Sequence, residues 1–375
     1  MQKNIIKFLS LIFLFTAIST GQGHTSPYGP SDKMTVYDRL YESDLVIYGK
    51  IMEKIKSEQK GNLTEIQVFS NVKGGKWKKG DYFYINSLIK EPVKSIGVIY
   101  LFRSSKGGVD FYELNAFYHD KKKQMYEYTL KTQEFMENDD EEGRLRWLFT
   151  QVDSRNEFIA WDSFAQLGMA SYKDLKKAAP AIDRESLRYL ISTPEVKENR
   201  KSFYCFLLGL AGNKEDLNLI KRVLSARENL DSPIVYGAMM AYGLLSSNYE
   251  VFYYKAISKT GSENMQKAVL EAVKNMMLYN RPSNPQPLLN SLYWALKNGN
   301  SNILLKAVEV CQATRITGPV RCMRNIYYNS FSNNRTGKIA VINYLKFVRK
   351  KTPDAVRLLD DFKKHENDPS VRERI

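Results

Sequence analysis

The hydrophobic pattern of this chain changes its period once, and that change limits the fold more than any other feature. Between Asp44 and Leu114, apolar residues alternate with polar ones or form short runs, as in β-strands. From Glu141 onward they recur every three or four residues, as on one face of a helix. The sequence therefore predicts an α+β, multidomain protein with strands first and helices afterwards.

Five short strands are predicted in the first region, separated by glycine-containing turns such as Gly74-Gly75 and Gly107-Gly108. The predicted strands are Leu45–Ile51, Thr64–Phe69, Tyr82–Ile85, Val98–Phe102 and Val109–Leu114. This number and length of strands favour a small β-barrel over residues 35–118. The glycine pairs are hairpin turns and not phosphate-binding loops, because no helix start with Lys-Ser/Thr follows them.

The order of four motifs gives this region a resemblance to known modules. Ser43 to Ile51 reads SDLVIYGKI, Glu65 to Gly74 reads EIQVFSNVKG, and Lys79-Gly80-Asp81 and Ile99 to Phe102 follow. This order resembles the netrin-like or tissue-inhibitor-like modules, which are OB-type barrels of exported proteins. Inhibitory members of that family bind a catalytic zinc through an N-terminal cysteine, and this region contains no cysteine. The resemblance implies a barrel, whose role as a ligand-binding or a protein-contact module stays open.

Paired helices recur after the strands. Gly209-Leu210 and Gly243-Leu244 end two apolar runs 34 residues apart, and Ser262 is placed to cap a helix with its apolar stripe at Met265, Val269, Ala272, Val273 and Met276. A two-helix unit of this length is typical of an α-α superhelix. The order of helix, Gly/Asn turn, acid and apolar stripe over residues 143–365 resembles HEAT-type repeats. Residues 366–375 remain as a tail, and the acidic stretch within 119–142 is interpreted as a charged linker.

The N-terminus has the pattern of a signal peptide over residues 1–23. Lys3 and Lys7 precede an apolar run from Phe8 to Ile18, and small residues follow it. The run is short for a membrane span. We expect cleavage that leaves a mature start between Thr20 and His24, and a periplasmic or secreted protein. No cysteine lies near the cleavage region, so a lipid anchor is not expected.

The positive charge is concentrated near the C-terminus. The whole chain has a net charge of +15, and residues 272–353 contain thirteen Lys or Arg but a single acid, Glu309. We expect these cations to share one exposed face, since a merely solvated surface usually mixes signs. The binding residues predicted on that face are Arg321, Arg324, Tyr328, Arg335, Lys338, Lys346, Arg349 and Lys350.

Core positions are also predicted in this segment. On the helix expected after Gly318-Pro319, the apolar stripe is Val320, Met323, Tyr327 and Phe331; on the next it is Val341, Ile342, Leu345 and Val348.

Three cysteines and three histidines bound the site chemistry. Cys311 and Cys322 flank a predicted turn between two helices, so a disulfide between them is expected in an exported protein. Cys205 lies in an apolar run and is expected to be a buried thiol. The histidines are isolated from one another and from the cysteines, so no metal site and no cofactor are predicted.

No catalytic constellation is apparent in the sequence. The leading hypothesis is an exported, non-catalytic binding or scaffold protein whose helical region contacts a protein partner. One alternative is an anionic polymer or a membrane surface as the partner. Nucleic acid fits the charge but fits poorly with export. The remaining alternative is an enzyme of unrecognised type.

Overall fold

The computed structural model describes residues 34–57, 61–106, 109–120, 122–226, 232–259 and 262–375. The predicted signal peptide lies outside the described residues. The chain divides into two compact units, Met1–Ile182 and Asp183–Ile375. This division falls inside the region that the sequence assigned to the helical repeats, and the domain bounds given above stay a prediction.

In its described residues, the first unit has a short helix, then five strands, then four more helices. Its elements are α1 (Val36–Glu42), β1 (Leu45–Ser57), β2 (Gly61–Lys73), β3 (Tyr82–Ile85), β4 (Ile96–Lys106), β5 (Val109–His119), α2 (Gln124–Glu137), α3 (Glu141–Gln151), α4 (Glu157–Met169) and α5 (Tyr172–Ala178). A 3-10 turn, Ala179–Ala181, ends the unit.

The strands form one antiparallel sheet in the order β3-β2-β1-β4-β5, which confirms the predicted β region. The sheet curls so that its two edge strands approach each other. Just after β3, the backbone N–H of Asn86 donates to the carbonyl oxygen of Tyr112 on β5 at 2.8 Å. Alternate side chains fill the inside of the curl with apolar residues. They include Leu45, Ile47, Ile51, Ile66, Val68, Phe83, Ile85, Ile99 and Leu101.

The stretch predicted as a charged linker is mostly a packed helix. Helix α2 buries Met125 and Tyr128, and its Thr129 hydroxyl lies 2.9 Å from the Tyr100 hydroxyl on β4. The acids that suggested a linker are confined to its exposed side and to the start of α3, where the Asp140 carboxylate accepts from the Gly143 backbone N–H. Acidic residues at a helix N-terminus are favourable in this position.

The second unit is helical throughout its described residues. Its elements are α6 (Arg184–Ser192), α7 (Glu198–Ala211), α8 (Leu217–Ser225), α9 (Ile234–Leu245), α10 (Tyr249–Lys259), α11 (Glu263–Tyr279), α12 (Gln286–Asn298), α13 (Ser301–Thr314), the 3-10 helix Gly318–Cys322, α14 (Met323–Asn325), the π-helix Ile326–Ser330, α15 (Arg335–Val348), α16 (Pro353–His365) and α17 (Pro369–Arg372).

These helices alternate between two layers. In the first layer α7, α9, α11, α13 and α15 pack side by side in sequence order; α8, α10, α12 and α16 form the second layer against them. The helices of the first layer are largely buried, as in α7, where every residue from Lys201 to Gly209 is buried. The predicted helical region is thus confirmed, and consecutive helix pairs build it.

Candidate functional site

The predicted cations are divided between different elements. Arg321 and Arg324 lie in the segment 318–330, which packs against α16, whereas Lys338 and Lys346 lie on α15 of the first layer. Lys338 does not fit the predicted exposed face, because its side chain is only 15% exposed and pairs with Glu366; for the other cations the shared face stays a prediction. Their role in binding stays a prediction, and the contacts of each group decide which of them are candidates.

Asp361 of α16 engages two of the predicted binding residues. Its carboxylate accepts from Arg324 Nε at 3.2 Å and from the Tyr328 hydroxyl at 3.3 Å. Burial, together with the charge of Asp361, raises the pKa of Tyr328 to about 12. Arg324 and Tyr328 therefore contact α16, although the Arg324 side chain remains 65% exposed.

Glu366, just after α16, engages Lys338 in the same way. The Lys338 ammonium lies 3.0 Å from its carboxylate, the buried Tyr327 hydroxyl donates to it, and the Asp368 N–H donates at 2.9 Å. Burial opposes ionisation of Glu366, but these hydrogen bonds outweigh burial and hold its pKa below the usual value. Arg335 is close enough to Asp368 for its charge to help lower the pKa of that carboxyl group, after the larger effect of Ser370.

Two more cations of the cation-rich residues 272–353 contact one buried acid. The carboxylate of Glu271 on α11 contacts the ammonium groups of Lys274 and of Lys306, the latter at 2.8 Å from the neighbouring helix α13. Burial lowers the pKa of Lys274, although Glu271 opposes that effect. A buried charge is retained only when it is paired in this way. Lys274 and Lys306 thus belong to the packing of α11 on α13.

Helices α11, α13 and α15 run in the same direction, so their C-terminal ends lie along one edge of the first layer. Glu263 at the start of α11 accepts from Asn300 and Asn302 at the start of α13. At the other end, the Tyr344 hydroxyl of α15 donates to the carbonyl oxygen of Ile316, just after α13, at 2.8 Å.

We call the cations at these three C-terminal ends the basic edge. It consists of Arg281 after α11, Arg315 after α13, and Lys346, Arg349 and Lys350 at the end of α15. Among the described residues no acidic side chain lies within ion-pair distance of any of the five. Part of their role is local, because cations are favourable at the negative end of a helix dipole.

The basic edge also exposes apolar surface. Leu278 on α11 is 44% exposed and Phe347 on α15 is 47% exposed. The Arg315 guanidinium lies over the Phe347 ring at 5.2 Å from its centre. Arg315 holds this place with a left-handed backbone (φ 58°), and its N–H caps the carbonyl oxygens of Cys311 and Gln312. Residues other than glycine rarely adopt this backbone conformation, and the two capping hydrogen bonds help to offset its cost.

The predicted disulfide is not formed in this structure. All three cysteines are free thiols, and Cys311 is buried in α13 whereas Cys322 is exposed. Cys322 ends the 3-10 helix Gly318–Cys322, and its thiol is near enough to that of Cys311 to add to the raised pKa of Cys311. Cys205 is buried as expected, and burial raises the pKa of both buried thiols well above the usual value, which makes them inert.

Sequence reasoning missed the acids that pair with four cations of residues 272–353, and it missed the aromatic ring beside the basic edge. The acids are Glu271, Asp361 and Glu366, and no local pattern marks them as partners of distant cations. The signal for Phe347 was available, because it breaks the apolar stripe of Val341, Leu345 and Val348 on α15.

Among the described residues, no three His, Cys, Asp or Glu side chains are arranged to hold a metal ion, and no described helix is long and apolar enough to cross a membrane. The sequence matches no protein-family model, and no curated protein is significantly similar to it. Any function must therefore be argued from the chain's own surfaces.

Proposed function

We propose that this is an exported, non-catalytic binding protein, and that its helical unit holds an acidic partner protein along the basic edge. The finer fold assignments belong to this proposal: the first unit as an OB-type, netrin-like barrel, and the second as a HEAT-type superhelix. The strand order, with β3 and β5 meeting, supports the first assignment, and the two-layer order of helices supports the second.

One observation carries the proposal. Arg315, Lys346 and Lys350 have no acidic partner among the described residues, while Lys274, Lys306, Arg324 and Lys338 of the same stretch do. A cationic rim around exposed apolar side chains such as Phe347 is the composition of a protein-binding surface. An acidic partner supplies the missing counter-charges and covers the ring.

The test compares two double charge reversals. Lys346→Glu with Lys350→Glu changes the basic edge, and Lys363→Glu with Lys364→Glu makes the same change in charge in the last turn of α16. Retention on immobilised polyglutamate is measured as the salt concentration at elution. We expect the first variant to elute at clearly lower salt than the original protein, and the control to elute close to it.

An equal decrease in the elution salt concentration of both variants would show that total charge, and not the basic edge, determines retention. Retention on phosphatidylglycerol vesicles or heparin, without retention on polyglutamate, would favour the membrane-surface or polymer alternative. For the fold assignments, the structure of a relative with detectable sequence similarity is the deciding measurement.

A further inference from the structure

The outer face of strands β1, β2 and β3 has two rows of side chains that the proposed function does not use. Lys50, Gln67 and Tyr82 are opposite one another in one row, as their strand register shows. Glu53, Glu65 and Tyr84 form the next row. Side chains directly opposite on neighbouring strands are close enough to interact, so each row acts as a unit.

Tyr82 and Tyr84 are unusually exposed for residues of a strand that packs on a core. They are 50% and 48% exposed, while Phe83 and Ile85 between and beside them face the inside of the sheet. Gln67 Nε2 donates to the Tyr82 hydroxyl at 2.6 Å, and the Tyr84 hydroxyl is hydrogen-bonded to Glu65. These bonds hold both rings toward β2, so a face of each ring stays open to a ligand.

The two carboxylates of this face stand directly opposite each other. The register pairs Glu53 with Glu65, and in the described part of the chain neither has a cation within ion-pair distance. Like charges in this position are unfavourable. A shift in register between Ile51 and Glu53 puts them there, because the extra residue, Met52, turns Glu53 onto the outer face. Bulges of this kind commonly re-aim a side chain at a binding site.

We propose that this face docks a Lys or Arg side chain of a basic partner segment. The cation would lie between the carboxylates of Glu53 and Glu65 with its alkyl or guanidinium part against the rings of Tyr84 and Tyr82. Charge complementarity selects this occupant, since the carboxylate pair lacks a counter-ion and an open aromatic face attracts a cation. Lys50 in the adjacent row offers a donor to the carbonyl groups of the same segment.

The experiment measures binding of fluorescein-labelled hexa-arginine and hexa-lysine to the full chain by fluorescence anisotropy. For Glu53→Gln with Glu65→Gln we expect about a tenfold weaker affinity, the loss of one well-placed charge-assisted contact. Tyr82→Leu with Tyr84→Leu should weaken binding several-fold, whereas Tyr84→Phe, which keeps the ring, should change it little. All these side chains are at least partly exposed, so circular dichroism should show unchanged folding.

A matched control, Asp360→Asn with Glu373→Gln, removes the same charge from exposed positions of the helical unit. We expect it to bind both peptides as the original protein does. Equal weakening in the control, no binding of either peptide, or unchanged binding by the Glu53 and Glu65 variant would each overturn the proposal. Binding of a neutral oligosaccharide such as maltohexaose in place of the peptides, lost in the tyrosine variant, would also overturn it. The basic edge is unchanged in every variant of the face, so failure here leaves the proposed function standing.

Discussion

Asp162 shows how single residues join the elements of the first unit. This fully buried carboxylate on α4 accepts from the Val36 N–H at the start of α1 at 2.8 Å, and from Tyr128 of α2 at 2.8 Å. The Gln166 amide donates to it at 2.6 Å. Three elements distant in sequence thus meet at one acid, and the carboxylate lies at a helix N-terminus, where negative charge is favoured.

The protonation of Asp162 should make the first unit more stable at mildly acidic pH. Burial raises the pKa of Asp162 from 3.8 to about 6, although its three hydrogen bonds oppose the shift. The folded state therefore binds the proton more tightly than the unfolded state, and the stability gained by this binding is lost as the pH rises through 6. Between pH 5 and pH 7 the expected loss is about 1 kcal/mol.

The check is the free energy of urea unfolding at both pH values for the original protein and for Asp162→Asn. The variant should be less stable than the original protein at both pH values, because the asparagine amide faces the Gln166 amide. Its free energy of unfolding should, however, be the same at pH 5 as at pH 7. Contributions from all other groups are common to both proteins and cancel in the comparison. A pH difference that persists in the variant would contradict the assignment to Asp162.

At the scale of elements, the first layer depends on the close approach of α7 and α9. The hydroxyl of Ser202 on α7 accepts from the backbone N–H of Gly237 on α9 at 3.0 Å. A Cβ atom placed on Gly237 would lie only 1.6 Å from the backbone carbonyl oxygen of Ser202. The two helix backbones are therefore nearly in contact, and only glycine fits between them.

Gly237→Ala should destabilise the second unit by about 1–3 kcal/mol, because the two helices must separate. Thermal unfolding followed by the helical circular dichroism signal measures this loss. Adding Ser202→Ala should bring no recovery, since the clash is with a backbone atom and not with the serine side chain. An unchanged unfolding midpoint in Gly237→Ala would mean that the helices have room to move apart.

The apolar stripes of individual helices were predictable from sequence, whereas the partners of their polar faces were not. Met265, Val269 and Val273 are buried on α11, and Ser262 caps that helix as expected. Val341, Ile342 and Leu345 are likewise buried on α15. These features depend on neighbours three or four residues away. The pairing of Lys338 with Glu366 depends on the packing of several helices, which a single sequence does not encode in its local pattern.

The segment around Pro319 shows a second limit. Val320, Met323, Tyr327 and Phe331 are all buried, as the helical stripe predicted. Their helix nevertheless changes from 3-10 to α to π geometry along its length. Apolar spacing identifies which residues face the core but is too coarse to distinguish these helix types.

On the scale of the whole molecule, the contacts of α2 to α5 determine where the first unit ends. Tyr128 of α2 and Asp162 of α4 share a hydrogen bond, and the guanidinium of Arg144 on α3 lies over the Tyr37 ring of α1 at 4.5 Å. The unit accordingly extends to Ile182 and includes helices that the sequence assigned to the repeats.

Two fragments distinguish these boundaries. We expect residues 183–375 to be soluble and to unfold cooperatively, because this fragment keeps its own core. A fragment of residues 143–375 should bind a hydrophobic dye such as ANS and aggregate, since its first helices lose the surfaces of α1 and α2 that cover them. Cooperative unfolding is measured by circular dichroism during heating. A longer fragment that is the more stable of the two would favour the boundary near residue 143.

The side-by-side order of the first layer has a consequence for how such a protein changes over evolution. Each helix pair is held mainly by the pairs immediately before and after it. Duplication or loss of one complete pair therefore leaves the other junctions intact. Evolution can therefore lengthen or shorten the helical unit by one complete helix pair at a time without a change of fold. Each such change also adds or removes one first-layer helix C-terminus that can carry cations.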